Sequence, residues 1–252
     1  MLPVDDSAFT EGRGCYTSAL LRAGKVRHEA QHLARLARGA AALGLGAFDA
    51  DEARRAFAAL SDAAFGAGDG IVRLQLSRGA DGQARLVGIP REVGDDRPAW
   101  SAISATVVHP GALLAGGHKL THRLPQALAG DEASAAGCDE ALLFDAEGRL
   151  VEGSRSNIVV ATAQGSLVAP PDTRGAVTGI ALGLLREALP ELEPGDLRQQ
   201  DLATATLVLC VNAVRGARPV TVLDGKPVGA AVHPWLDRCC DVLNRDAGAT
   251  PG

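Results

Sequence analysis

Lys119 is one of only three lysines among the 25 basic residues of this 252-residue chain, the others being Lys25 and Lys226. A lysine amine condenses with an aldehyde and a guanidinium does not, so a lysine within a glycine-rich stretch is a candidate nucleophile. Lys119 stands in Gly116-Gly117-His118-Lys119-Leu120-Thr121-His122-Arg123-Leu124. A second stretch, Leu150-Val151-Glu152-Gly153-Ser154-Arg155-Ser156-Asn157-Ile158, sets a carboxylate in a turn between apolar segments. A third, Gly175-Ala176-Val177-Thr178-Gly179-Ile180, brackets a helix start with glycines and offers Thr178 as a cap. The free N–H groups of a helix start suit an anion. Taken singly, these are a surface lysine, a solvated turn glutamate and an ordinary helix start. Together, an imine-forming amine, a carboxylate for a ring nitrogen and a phosphate cradle are the three needs of pyridoxal phosphate.

Hydrophobic patterning predicts the elements that must position them. Gly14 to Leu21 reads as a strand entering a turn at Ala23-Gly24, and helices are expected over His28 to Leu45 and Ala47 to Phe65. Val72, Leu74 and Leu76 alternate with Arg73, Gln75 and Ser77 as in a half-buried strand, and Arg85 to Ile89 pairs back. A strand over Ala102 to Val108 leads to the Gly/Pro-rich loop Pro110 to Gly116, which divides the chain into a small domain, 1–109, and a larger one, 110–252. Lys119 then lies on an irregular approach to a helix opened by Pro125. Strands follow at Glu140 to Asp145, Leu150 to Gly153, Asn157 to Thr162, Leu167 to Ala169 and Leu207 to Val211, with helices at Val177 to Leu189 and Val232 to Leu243. Strands and helices mix without regular alternation, so the fold class is α+β rather than doubly wound.

Bulk properties narrow the function. The net charge of −5 argues against a nucleic-acid partner. No run of about 18 apolar residues exists to span a membrane, and Met1 to Asp6 lacks the pattern of a signal peptide. The five cysteines (Cys15, Cys138, Cys210, Cys239, Cys240) form no C-x-x-C spacing, so neither a zinc site nor a disulfide framework is expected, and a cytoplasmic home follows. Walker, G-x-G-x-x-G, H-E-x-x-H and G-x-S-x-G motifs are missing. The partner expected is a small-molecule substrate.

The order of the segments carries a resemblance along nearly the whole chain. Glu11 to Thr17, His32 to Leu36, Arg73 to Gly79, the lysine segment, Cys138 to Leu143, Glu152 to Asn157, Val177 to Ile180 and Val211-Asn212-Ala213 before Pro219-Val220 together resemble the class IV pyridoxal-phosphate enzymes, the branched-chain and D-amino-acid aminotransferase type. Within that family the stretch Gly14-Cys15-Tyr16-Thr17 and the register from Lys119 to Leu128 are most similar to the aminodeoxychorismate lyases. The resemblance implies two α/β domains with the cofactor in the interdomain cleft, and a homodimer. It also implies that Lys119 holds the cofactor and moves the proton, and that Glu152 pairs with the ring nitrogen. Arg35 would bind the phosphate with the Ile180 and Ala181 N–H groups, Asn212 and Ala213. Asn157, Thr178 and Gly179 would belong to the same cofactor site, and Val177 would pack on one ring face. Tyr16, Arg78, Arg85, Arg155 and Arg215 are candidates for the substrate pocket.

Four features depart from the family pattern: a first strand at Leu2-Pro3-Val4 that is cut short, Arg13 where an acidic residue is common, His122 where asparagine is frequent, and Ala181 without the hydroxyl many aminotransferases carry. The last leans toward the lyase, which yields 4-aminobenzoate and pyruvate for folate precursor synthesis. A D-amino-acid or branched-chain aminotransferase is the alternative, followed by a non-catalytic small-molecule-binding protein on the same fold. A thiol enzyme using Cys239 and Cys240 is the weakest reading.

Overall fold

The computed structural model describes residues 3–112 and 116–245. Met1 and Leu2, and the middle of the Gly/Pro loop at residues 113–115, lie outside the described residues. Contacts divide the chain into two compact units, one running to Asp95 and including His118–His122, the other comprising Asp96–Gly117 and Arg123–Arg245.

The first unit contains α1 (Ser7–Thr10), β1 (Gly14–Arg22), β2 (Lys25–Val26), α2 (Glu29–Leu43), α3 (Ala50–Phe65), β3 (Gly70–Arg78) and β4 (Ala84–Arg91). Its antiparallel sheet has the order β2-β1-β3-β4. Cys15, Ala19 and Leu21 on β1 and Val72, Leu74 and Leu76 on β3 share the face that packs on Leu33, Leu36 and Phe57 of α2 and α3. Each such fully buried aliphatic contributes about 1.5–3 kcal/mol. Asp49 starts α3 by accepting hydrogen bonds from the Asp51 and Glu52 N–H groups. Of the strand expected at Leu2-Pro3-Val4, Leu2 lies outside the described residues; Val4–Asp6 form a turn, and Asp6 caps α1.

The second unit contains β5 (Trp100–Ser104), α4 (Leu124–Ala135), β6 (Glu140–Phe144), β7 (Leu150–Gly153), β8 (Asn157–Ala161), β9 (Leu167–Ala169), a 3-10 turn at Asp172–Arg174, α5 (Ile180–Ala188), β10 (Leu192–Pro194), α6 (Gln199–Ala203), β11 (Leu207–Asn212), β12 (Gly216–Leu223), β13 (Lys226–Pro227) and α7 (Pro234–Asn244). Its strands run in the order β10-β9-β8-β11-β12-β5-β6-β7, with β13 paired to β12. β5 pairs in parallel with both β12 and β6, which groups it with this unit although it lies ahead of the Gly/Pro loop. It ends at Ser104, short of Val108, because Ser104 is tied to Asp224 at both its N–H and its hydroxyl. β12 has no counterpart in the sequence reading: its Gly-Ala-Arg-Pro start gives neither a clean alternation nor an apolar run. α5 and α7 pack Leu182, Leu185, Cys239 and Leu243 onto β8, β9 and β11. Among the described residues, no helix is long and apolar enough to cross a membrane.

Candidate active site

In the first unit, residues 119–121 return to β1 as an added edge. The Tyr16 N–H donates to the Lys119 carbonyl at 2.9 Å, the Thr121 N–H to the Gly14 carbonyl at 2.9 Å, and Leu120 faces Cys15 in an antiparallel bridge. Lys119 is therefore fixed by sheet hydrogen bonds rather than carried on an irregular approach. This register sets Lys119 opposite Tyr16 and on the same side of the sheet. Its Nζ lies 5.1 Å from the centroid of the Tyr16 ring, and the Arg73 guanidinium lies 3.7 Å from that centroid. Tyr16 is buried.

Behind β1, α2 contributes Arg35 and His32. Arg35 is buried, and burial, aided by the nearby Arg38 charge, pushes its guanidinium down to about 10. A buried cation of this kind gains from an anionic ligand. His32 is fully buried, its Nδ1 2.5 Å from the Thr17 hydroxyl. Burial, and then the charges of Arg35, His28 and Lys119, hold its ring well below the ordinary 6.5.

The second unit builds a different environment around Glu152, which is 3% exposed at the end of β7. Oε2 accepts the Val177 N–H at 2.9 Å, and Oε1 accepts Gln126 Nε2 at 3.0 Å. His109 Nε2 lies 3.4 Å from the same Oε1. The chain beyond β7 is held by a second buried carboxylate: Glu140 accepts the hydroxyls of Ser154 and Ser156 and the Ala141 N–H. The Gly153 N–H closes the turn on the Ser156 carbonyl at 2.7 Å. Asn157, at the start of β8, donates through Nδ2 to the Val177 carbonyl at 2.9 Å. A Cβ at Gly179 would overlap Asn157 Oδ1, so a larger residue there would displace the Asn157 side chain.

Gly179, not Thr178, is the N-cap of α5, and no side chain caps that helix, which begins at Ile180 rather than Val177. Thr178 is exposed, and its N–H is spent on the Gly117 carbonyl. The N–H groups of Ile180 and Ala181 open the helix. Asn212 uses Oδ1 to accept the Val214 and Arg215 N–H groups, which shapes the turn from β11 to β12 at Ala213.

The structure thus brings Lys119, Tyr16 and Arg35 into one unit. It brings Glu152, Asn157, Val177 and the start of α5 together in the other. The arginines expected at the substrate pocket fall in both units, Arg78 and Arg85 in the first and Arg155 and Arg215 in the second. Arg78 and Arg85 sit where β3 and β4 meet, with Arg85 paired to Asp81 at 3.4 Å. Arg155 is exposed and donates to the Asp139 carbonyl, while Arg215 lies 3.6 Å from Asp96. Arg73, His109 and Gln126 were not singled out by sequence. Arg73 is legible only as the polar side of an alternating strand, and Gln126 only as one residue past Pro125. Thiol chemistry is disfavoured: burial pushes Cys239 up to about 12 and raises Cys240 as well.

Comparison with known proteins gives these residues a context. The sequence profile of the amino-transferase class IV family matches residues 14–223. A bifunctional aminodeoxychorismate lyase/D-amino acid transaminase of Mycobacterium tuberculosis is 27% identical, over 90% of this chain and 87% of its own. The crystal structure of 4-amino-4-deoxychorismate lyase from Pseudomonas aeruginosa is 30% identical, covers 96% of this chain and 94% of its own, and superposes with a TM-score of 0.78. A hypothetical aminotransferase from Mycobacterium tuberculosis in its PLP-bound form shares the fold, with a TM-score of 0.83 at 22% identity over 97% of this chain and 92% of its own.

Proposed function

Since the chain belongs to the aminotransferase class IV family, we propose that it is a pyridoxal-phosphate enzyme that cleaves 4-amino-4-deoxychorismate to 4-aminobenzoate and pyruvate. The observation that carries the cofactor reading is the setting of Glu152. A carboxylate offers about four lone-pair positions; Val177 takes one on Oε2 and Gln126 one on Oε1, with His109 Nε2 3.4 Å from Oε1. Oε2 has one acceptor position left, as needed to receive a protonated ring nitrogen. The residues present fit the group: a lysine amine, a buried carboxylate, a buried guanidinium and a helix start without a side-chain cap.

When bound, pyridoxal phosphate supplies the electron sink that acidifies the C–H bond beside a substrate amine. Lys119 would hold the cofactor through Nζ, and its free amine would take the proton from the amine-bearing carbon of the substrate. Loss of that proton and of the C–O bond to the enolpyruvyl group would make the six-membered ring of the substrate aromatic. The proton on Nζ goes to the enolpyruvyl methylene carbon, which gives pyruvate, so no water or oxidant is consumed. Glu152 keeps the ring nitrogen protonated. Arg35, with the N–H groups of Ile180, Ala181 and Ala213, binds the phosphate. Asn157 fixes the backbone of Val177, which would pack on one ring face, and Asn212 shapes the turn carrying Ala213. The homodimer implied by the resemblance and the cytoplasmic setting expected from the cysteine usage complete this reading.

The choice of lyase is supported by the match to the Pseudomonas aeruginosa lyase along nearly the whole chain. A second reading, amino transfer from D-amino acids, is favoured by the bifunctional Mycobacterium tuberculosis relative. A product assay separates them. Equimolar 4-aminobenzoate and pyruvate from aminodeoxychorismate, lost in Lys119→Ala, supports the lyase. Amino transfer from D-alanine to 2-oxoglutarate without 4-aminobenzoate supports the second reading.

A further inference from the structure

His109 sits where the chain leaves β5 for the Gly/Pro loop, and nothing in its sequence context marks it. In the structure it is buried, 3% exposed. Its backbone N–H donates to the Phe144 carbonyl at 2.8 Å, which ties it to the end of β6. The Gly111 N–H donates to His109 Nδ1 at 3.0 Å. A ring nitrogen that accepts a hydrogen bond carries no proton, so the proton of the imidazole is on Nε2. Nε2 is the atom that faces Glu152 Oε1 at 3.4 Å. Gly111 is itself clamped, because a Cβ at Gly175 would overlap its carbonyl, and Gly175 adopts φ +87. Gly175 leads through Ala176 to Val177, whose N–H addresses the other oxygen of Glu152. The Gly111 backbone, the His109 ring, Glu152 and the segment Gly175–Val177 therefore form a closed circuit of contacts within the second unit.

We infer that His109 is a positioning residue that acts through Glu152. Locked as the Nε2–H tautomer by Gly111, it works with Gln126 to occupy Oε1 and so reserves the open position of Oε2 for the ring nitrogen of the cofactor. A neutral donor holds the carboxylate in place without neutralising its charge, which a full cationic partner would partly offset. At 3.4 Å the contact is longer than a formed hydrogen bond. This inference rests on the pyridoxal-phosphate reading of the site.

Two measurements test it. In the first, long-range proton–nitrogen correlation spectra of the 15N-labelled apoprotein report the tautomer of His109, assigned by its loss in His109→Gln. The expected result is a single Nε2–H tautomer whose resonances move in Glu152→Gln. An Nδ1–H tautomer, or averaging of the two as in a solvated imidazole, overturns the inference. The second measures affinity for pyridoxal phosphate and for its 1-deaza analogue, in which carbon replaces the ring nitrogen. Glutamine places an N–H near the position of Nε2 and asparagine does not. His109→Gln is expected to bind pyridoxal phosphate within about threefold of the parent, while His109→Asn and His109→Ala lose ~10-fold or more, the size of a hydrogen bond to a charged group. None of the three variants changes affinity for the deaza analogue. Equal losses with glutamine and asparagine, or equal losses for both ligands, show a merely structural histidine and overturn the inference. If the parent binds neither ligand, the cofactor reading fails on its own ground, and the apoprotein spectrum still decides the contact between His109 and Glu152.

Discussion

The two units treat charge in opposite ways. The first gathers cations near the Tyr16 edge of its sheet: Lys119 and Arg73 over the Tyr16 ring, and Arg35 buried on α2 with His32 held neutral one turn before it. The second buries a carboxylate, Glu152, between the donors of Val177 and Gln126, with His109 Nε2 3.4 Å away. The first arrangement is set by sheet register and a helix face, which repeat along the sequence. The second depends on a turn, a loop and a helix start that are distant in sequence, so its precision comes from backbone packing at Gly175 and Gly179. In the proposed chemistry Lys119 supplies the amine, Arg35 and the start of α5 bind phosphate, and Glu152 tunes the ring.

The sharpest break in this contrast is Lys119→Ala. Activity is expected to fall by at least ~10³-fold, within the range for a general base, with the Tyr16 face otherwise folded. Steady-state rates alongside circular dichroism check it. Removing the anion comes next: Glu152→Ala is expected to cost ~10²-fold in turnover, and Glu152→Gln, which keeps the shape and loses the charge, nearly as much. A rate near the parent's in Glu152→Gln would show that shape rather than charge is what the second unit provides. Gly175→Ala tests the packing behind that anion. A Cβ at φ +87 that also overlaps the Gly111 backbone should cost about 2–4 kcal/mol of stability, read as a lower midpoint in urea.

The smallest effect belongs to the first unit and depends on pH. His32 is held neutral in the folded state, well below its ordinary 6.5, so below about pH 6.5 the unfolded chain binds a proton that the folded chain does not. Its contribution to stability is therefore full above that value and is lost as the pH falls, by at most about 1.4 kcal/mol per pH unit. His32→Gln should flatten this acid limb between pH 6.5 and 5, measured by urea unfolding. An unchanged slope would show that other groups set it.

Much of this was legible in the sequence because the elements carrying it are periodic. Alternation over Val72 to Leu76 announces β3, helical spacing through Leu33, Leu36 and Ala40 announces α2, and the scarcity of lysine singles out Lys119. What supports Glu152 was not legible. His109 and Gln126 reach it through the fold, and their own neighbours in sequence show no motif. The start of α5 was placed three residues early for a physical reason: Val177 and Thr178 continue the apolar pattern, but their N–H groups are spent on Glu152 and Gly117. β12 was missed because its opening Gly-Ala-Arg-Pro has no strand periodicity, although it pairs with both β11 and β5.

The most direct test of the account is borohydride reduction of the protein saturated with pyridoxal phosphate, followed by peptide mapping. With only Lys25, Lys119 and Lys226 available, the answer is unambiguous. The account predicts one pyridoxyl group per chain, on Lys119. Labelling confined to Lys25 or Lys226, or no label at all, would contradict it.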